Sequence, residues 1–140
     1  MTSFVLDASI AMAWCFEDEA TPTTQAVLAS LSETSAAVPA IWPIEVANVL
    51  AIAERRQRIT LADSVAFIAK VQNLAIAVDE GTSSRAFFLI LDLAREQRLT
   101  VYDAAYLELA MRLGVPLASK DHDLCGAAAR VGVAVFPGGS

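Results

Sequence analysis

The sequence predicts an α/β protein, a three-layer α/β/α sandwich with a central five-stranded parallel sheet in a single domain spanning residues 1–140. Short apolar stretches of strand length alternate with longer stretches whose apolar residues recur at helical spacing. This alternation is typical of parallel strands joined by right-handed helical crossovers. The hydrophobic content of 56% and the mean hydropathy of +0.51 predict a sizeable buried core.

The first three strands are predicted at Phe4 to Leu6, at Ala36 to Pro39 and at Leu74 to Val78. The helices between them are expected over Ile10 to Phe16, over Thr23 to Leu31, and onward from Trp42 and from Thr60. Proline suits the first turn of the Trp42 helix, and the Thr60 helix opens with a pattern that resembles a capping box. These last two helices should form a hairpin, and the apolar residues of the second that are expected to point inward are Leu61, Val65, Ile68 and Val71.

The remainder of the chain predicts three helices and two strands. A strongly apolar helix through Phe87 to Leu91 is expected to pack against the sheet. Thr100 should cap the next helix, which Gly114 ends. The last elements are a fourth strand at Leu117 and Ala118, a helix ending near Gly132, and a fifth strand from Val133 to Phe136.

Four acids, Asp7, Glu45, Asp103 and Asp121, each follow an apolar stretch or stand in the first turn of a helix that follows one. Because the carboxyl ends of parallel strands meet at one edge of a sheet, these acids are expected to share a pocket. Clustered carboxylates repel one another unless a cation compensates them. Mg²⁺ or Mn²⁺ fits such a pocket, and Mg²⁺ usually takes further ligands from phosphate, which suggests a phosphodiester substrate.

Each acid also has a structural explanation. Asp7 and Asp121 could cap helices, Glu45 could complement a helix dipole, and Asp103 could be the acid of a capping box. The recurrence of all four on one predicted edge favours a site. Zinc fits less well, because His122 is the one histidine and the two cysteines are far apart in the sequence.

Composition excludes several classes of protein. The net charge of −6 argues against a generic basic nucleic-acid binder, although the predicted pocket accounts for much of that charge. The longest uncharged apolar stretch is too short for a membrane span, and the amino terminus lacks the features of a signal peptide. Two cysteines without a paired spacing suggest reduced thiols, and we expect a soluble, cytoplasmic protein.

Four ordered motifs carry a resemblance to a known family: VLDAS at residues 5–9, WPIEVANVL at 42–50, TVYDAAYLELA at 100–110 and ASKDHDL at 118–124. With these motifs the chain resembles PIN-domain ribonucleases, and among them the VapC-type toxins of toxin-antitoxin pairs. The resemblance implies a sheet of strand order 3-2-1-4-5. It also implies metal-dependent endoribonuclease activity with Mg²⁺ or Mn²⁺, leaving 5′-phosphate and 3′-hydroxyl ends.

The resemblance carries the family's acids onto Asp7, Glu45, Asp103 and Asp121 as catalytic residues. Asp7 and Asp103 are expected to be the principal metal ligands. The residues with lesser expected roles are Ser9 and Ser119 as supporting hydroxyls, Asp123 as a possible further ligand, and His122 as a surface residue. Candidate contacts to the RNA backbone, for which a solvated role is equally expected, are Arg55, Arg56, Arg58, Arg85 and Lys120.

The partners implied by the resemblance are RNA, a cognate VapB-type antitoxin and a second copy of the chain, with no membrane. Trp14 and Phe16 could line the antitoxin groove, although such residues more often belong to the core. One rival hypothesis is an inactive PIN fold that binds RNA or protein. Another, a receiver-like phosphoacceptor domain, needs paired acids after the first strand, and Asp7 lacks an adjacent acid.

Overall fold

A computed structural model describes residues 2–138 as a parallel sheet covered by helices. Its strands are β1 (Thr2–Leu6), β2 (Ser35–Val38), β3 (Ile76–Val78) and β4 (Leu117–Ala118). Its α-helices are α1 (Ala8–Ala13), α2 (Pro22–Ser30), α3 (Trp42–Arg55), α4 (Leu61–Gln72), α5 (Thr82–Arg85), α6 (Leu91–Gln97), α7 (Val101–Leu113) and α8 (His122–Arg130). A 3-10 turn spans Glu17–Glu19, and a π-helical turn spans Ala86–Ile90. The predicted α/β class is confirmed.

The sheet has the order β3-β2-β1-β4 with all pairs parallel, as predicted for the first four strands. Strand β1 lies in the interior of the sheet, and Phe4, Val5 and Leu6 are fully buried. The residue after β1 must therefore emerge at the edge where β4 also ends. The sheet's topology brings residues 7 and 119–121 together.

The prediction of a fifth strand over residues 133–136 is wrong for the described residues. In this segment Val135 forms an isolated parallel bridge with Leu117 in place of a strand. Leu117 N–H donates to Ala134 at 2.9 Å, and Phe136 N–H donates to Leu117 at 2.8 Å. Strand β4 has two residues, so its outer edge offers too few backbone groups for a longer ladder. Side-chain packing supplements the bridge, since Phe136 stacks on Phe4 with ring centroids 4.4 Å apart.

Helix α4 begins with the predicted capping box, in which Thr60 and Asp63 exchange side-chain to backbone hydrogen bonds. The predicted inward face is nevertheless wrong for three of its four residues: the exposed ones are Leu61, Val65 and Ile68. Helix α4 instead buries Ser64 and Phe67, and Ser64 donates a hydrogen bond to Glu54 of α3. Burial of Phe67 and the hydrogen bond from Ser64 to Glu54 together define the inward face of α4, and an apolar face stays outside.

The expectation that residues 87–91 pack against the sheet is also wrong for most of that segment. Phe87 is 82% exposed and Phe88 is 72% exposed. Consecutive residues of any helix point in different directions, so five adjacent apolar residues cannot all face one core. The buried contacts come instead from Ile90 and, one turn later, from Leu93 and Ala94.

Ion pairs connect the last turn of helix α7 to the segment that follows β3. Most of its residues are buried, and in its last turn Arg112 pairs with Asp79, which follows β3, at 2.7 Å. Arg112 also pairs with Glu108 at 2.9 Å, and Arg85 lies 3.8 Å from Glu108. These ion pairs fix α7 against the sheet. Within residues 2–138, no helix is both long and apolar enough to span a membrane.

Gly114 ends α7 in a left-handed conformation with φ of 67°, and an added Cβ there would meet no atom within 4 Å. Gly114→Ala should therefore lower the free energy of unfolding by about 1 kcal/mol through backbone strain alone. Gly126→Ala is the matched control, because Gly126 lies inside α8 and its Cβ would make an ordinary 3.6 Å contact. That control should raise stability by roughly 0.5–1 kcal/mol. Urea denaturation measures both changes in the free energy of unfolding. Changes of the same sign in the two variants would contradict the left-handed conformation assigned to Gly114.

Candidate active site

The four acids predicted from the sequence line one open cleft of about 380 Å³. Asp7 follows β1 directly, and Asp121 is the N-cap of α8 after β4. Glu45 and Asp103 stand in the first turns of α3 and α7. Two strand ends and two helix starts thus bring together residues that are more than a hundred positions apart in the sequence.

Asp7 is 6% exposed, and two serine hydroxyls hold its carboxylate. Ser9 and Ser119 both donate to Oδ2 of Asp7, at 2.6 and 2.7 Å. Each hydroxyl also accepts a backbone N–H at 3.0 Å, Ser9 from Lys120 and Ser119 from Asp121. Because each hydroxyl oxygen accepts a hydrogen bond from one of these N–H groups, its own proton is donated to Asp7. The structure places Ser9 and Ser119 where supporting hydroxyls were predicted.

Glu45 accepts a hydrogen bond from Tyr106, whose hydroxyl lies 2.5 Å from Oε1. Tyr106 belongs to α7, and its side chain is fully buried. Tyr106 is not among the site residues predicted from the sequence. A signal for it exists, because Tyr106 follows Asp103 by three residues and therefore lies on the same face of the helix.

The structural explanation of Asp121 as a helix cap is correct, whereas for Asp103 the structure shows one half of a capping box, formed by its backbone N–H. Neither contact excludes the site. Asp121 accepts a hydrogen bond from Leu124 N–H at 3.0 Å and so caps α8. The Thr100 hydroxyl accepts from Asp103 N–H at 3.1 Å, which caps α7 and leaves the Asp103 carboxylate beside the cleft. Both residues serve a helix terminus and also line the cleft.

The cleft is electrostatically costly for its carboxylates. Burial, and then the charges of Asp121, Asp7 and Glu45, raise the pKa of Asp103 to about 6. Burial also raises the pKa of Glu45, against the opposing hydrogen bond from Tyr106. Burial raises the pKa of Asp7 although the two serine hydroxyls stabilise its charged form. A bound cation would relieve this cost.

The donor set fits a hard divalent cation. Every candidate ligand is a carboxylate oxygen, the ligand type that Mg²⁺ and Mn²⁺ prefer. Among the residues that the structure describes, no group of three or more Asp, Glu, His or Cys side chains is arranged closely enough to hold a metal ion by itself. Mg²⁺ does not require such a group, because it typically binds one or two carboxylates and retains several waters.

Two other predicted residues lie outside the cleft. Asp123 and His122 are exposed and line a separate depression with Arg98 and Arg130. Among the basic candidates, Arg58 and Lys120 line the cleft, whereas Arg85 pairs with Glu108. The structure thus separates the four acids from Asp123.

The comparisons with known proteins identify the family and support the fold. A family profile described as the PIN domain matches residues 4–130. The chain belongs to the PIN-domain family. The crystal structure of PAE2754 from Pyrobaculum aerophilum aligns with a TM-score of 0.68 at 22% sequence identity, covering 90% of this chain and 84% of that chain. At that identity the likeness supports the fold. No curated protein matches the chain.

PIN domains are generally metal-dependent nucleases, and they bind RNA. In this PIN domain the cleft lies at the carboxyl ends of neighbouring parallel strands, where α/β folds place their ligands. A metal-dependent nuclease family is consistent with an edge that is rich in carboxylates.

Asp103→Asn should stabilise the metal-free PIN domain at neutral pH. The folded state raises the pKa of Asp103 from its ordinary 3.8 to about 6, so the folded protein binds this proton more tightly than the unfolded chain. Stability is then lost as the pH rises from about 4 to above 6, and asparagine removes that loss. Thermal unfolding in EDTA should show a larger gain in Tm at pH 7 than at pH 4.5. A variant no more stable than wild type at pH 7 would refute this.

Proposed function

We propose that this PIN domain is a Mg²⁺- or Mn²⁺-dependent endoribonuclease that acts as the toxin of a VapBC-type toxin-antitoxin pair. The observation that carries the proposal is the convergence of Asp7, Glu45, Asp103 and Asp121 on one cleft. Three of these acids have a raised pKa, which is typical of functional sites in clefts.

Asp7 and Asp103 are the proposed principal metal ligands, directly or through water. Glu45 and Asp121 complete the acidic site and orient the attacking water. When bound, the cation lowers the pKa of water and stabilises charge that develops on the phosphate and the leaving oxygen. The remaining roles belong to the protein.

The residues around the acids support this assignment by fixing their orientation. Ser9 and Ser119 hold Asp7, and Tyr106 holds Glu45, so two carboxylates are positioned before substrate binds. Such positioning reduces the reorganisation needed in the transition state. Hydrogen bonds to ligands from the surrounding shell also strengthen metal binding.

Purified wild-type protein should cleave a mixed RNA pool with Mg²⁺ or Mn²⁺ and lose that activity in EDTA. Asp103→Asn should reduce cleavage by roughly 100-fold or more, because one interaction worth a few kcal/mol in the transition state changes the rate by that factor. Gel analysis of the RNA and end-group mapping measure the outcome, and 5′-phosphate ends are expected.

Asp123→Asn is the matched control, since it makes the same chemical change in the separate depression. Its cleavage rate should stay within about threefold of wild type, as for a surface residue that does not contribute to the transition state. Equal losses in both variants would contradict the assignment of the cleft. Folded wild-type protein that binds RNA and never cleaves it would favour the alternative, an inactive PIN module.

The toxin role is supported by a groove beside the cleft. It has a volume of about 840 Å³ and is lined in part by Trp14, Phe16 and Phe67, of which Phe16 and Phe67 are core residues that are 4% and 6% exposed. Phe16 and Arg58 line both the groove and the cleft, so a peptide in the groove would reach the acids. Helix α4, which contributes Phe67 to the groove, also carries exposed apolar residues. We assign this groove to the carboxyl-terminal segment of a VapB-type antitoxin.

Induced expression of the wild-type chain alone should arrest bacterial growth, whereas Asp103→Asn should not. The reason is that toxicity in this proposal follows from RNA cleavage. Growth curves with matched protein levels on immunoblots provide the measurement. Growth arrest by the Asp103→Asn protein would separate toxicity from the nuclease.

We assign the exposed apolar side chains of Phe87, Phe88 and Leu89 to a homodimer interface. Contiguous exposed apolar groups of this size usually mark an interaction surface. Phe88→Glu should shift sedimentation from dimer to monomer at micromolar concentration, because a buried unpaired charge is costly. The matched control is Ile68→Glu on α4, which should leave the dimer intact. A wild-type monomer would exclude this interface.

A further inference from the structure

Three segments that are distant in sequence meet at the entrance of the acidic cleft. Among the described side chains that line it, two are cations: Arg58 from the turn between α3 and α4, and Lys120 from the turn between β4 and α8. The third segment supplies Glu19 at the end of the 3-10 turn.

Glu19 contacts both cations with different oxygens. Its Oε2 lies 3.0 Å from Nη2 of Arg58, and its Oε1 lies 3.9 Å from Nζ of Lys120. Asp18 is a second partner of Arg58 at 2.8 Å. Within residues 2–138, neither cation forms an ion pair with any of the four cleft acids. Both cations are thus paired with the 3-10 turn and not with the acids.

The Glu19 carboxylate occupies both cations with separate oxygens, as anionic phosphate oxygens of an RNA strand would. The Arg58 guanidinium also lies 3.8 Å above the Phe16 ring, which orients the guanidinium independently of Glu19. The side chains of Arg58, Glu19 and Lys120 are 42%, 33% and 34% exposed. Ion pairs this exposed contribute little to stability, so a phosphate could replace the carboxylate at small cost.

We propose that Arg58 and Lys120 bind consecutive phosphates of the RNA strand that enters the cleft, and that Glu19 is an internal competitor occupying both cations until the RNA displaces it. This inference rests on the proposed ribonuclease function and identifies residues that bind the substrate backbone. Asp18 contributes to the competition at Arg58. The acidic 3-10 turn therefore weakens RNA binding.

The test measures binding of a fluorescein-labelled single-stranded RNA of mixed sequence by anisotropy, with Mg²⁺ and with every variant in an Asp103→Asn background. Glu19→Gln should tighten binding by about threefold, the scale of an exposed ion pair. Arg58→Gln and Lys120→Gln should each weaken binding. Each should also reduce the slope of the logarithm of the binding constant against the logarithm of the salt concentration by about 0.7. Arg58→Lys, which retains the charge, should keep most of the affinity.

Glu17→Gln is the matched control, because it removes the same charge from the same turn at a residue that lines the neighbouring groove. It should leave affinity nearly unchanged. In an Arg58→Gln/Lys120→Gln background, Glu19→Gln should give no gain. An equal gain from Glu17→Gln, or a gain that persists without the two cations, would show a net-charge effect and overturn the proposal. Weaker binding by Glu19→Gln would also overturn it.

Cleavage of the same RNA by protein with Asp103 intact separates this proposal from the proposed function. Cleavage together with binding that is insensitive to Glu19 would overturn the competitor and leave the nuclease. The expected binding changes without cleavage would leave the phosphate contacts and overturn the nuclease. Thermal unfolding of each variant checks that all are folded.

Discussion

The site depends on one constraint, the burial of a charged carboxyl group at the end of a central strand. Strand β1 lies between β2 and β4, so the residue after it emerges among packed elements. Asp7 is 6% exposed there, and an unpaired charge in such a position would be strongly destabilising. Ser9 and Ser119 stabilise the charge, and the backbone N–H groups of Lys120 and Asp121 fix both hydroxyls. The same bonds place Asp121 beside Asp7.

The other acids have less compensation than Asp7. Glu45 has the Tyr106 hydroxyl, while Asp103 faces the charges of three neighbouring carboxylates and its pKa rises to about 6. The fold therefore supplies hydrogen bonds to Asp7, Glu45 and Asp121, and these bonds do not remove the repulsion between the carboxylates that raises the pKa of Asp103. A protein that needed these acids for stability alone could replace them with amides of the same shape. The retained repulsion is the physical argument that the cleft serves a ligand of positive charge.

Local signals predicted much of this structure. The capping pattern at Thr60, the glycine after α7 and the apolar run of β1 each depend on a few adjacent residues, and the structure has all three features. The four acids were found because parallel-sheet topology brings strand ends together. The predictions that were wrong or missing concern features that depend on contacts between different helices and strands. Burial of Phe67 and the contact from Ser64 to Glu54 define which face of α4 is exposed, and the brevity of β4 reduces the fifth strand to a bridge. The bond from Tyr106 to Glu45 joins residues 61 positions apart and could not be predicted from spacing.

The net charge of −6 opposes the binding of a polyanion, so the placement of charge matters more than its sum. Four acids and two cations line the cleft, and Glu19 engages both cations. The two cations can bind RNA phosphates when Glu19 is displaced, and a bound divalent ion would lower the repulsion from the four carboxylates. The acidic composition is therefore compatible with RNA as substrate, because the cations and the carboxylates occupy different positions in one cleft.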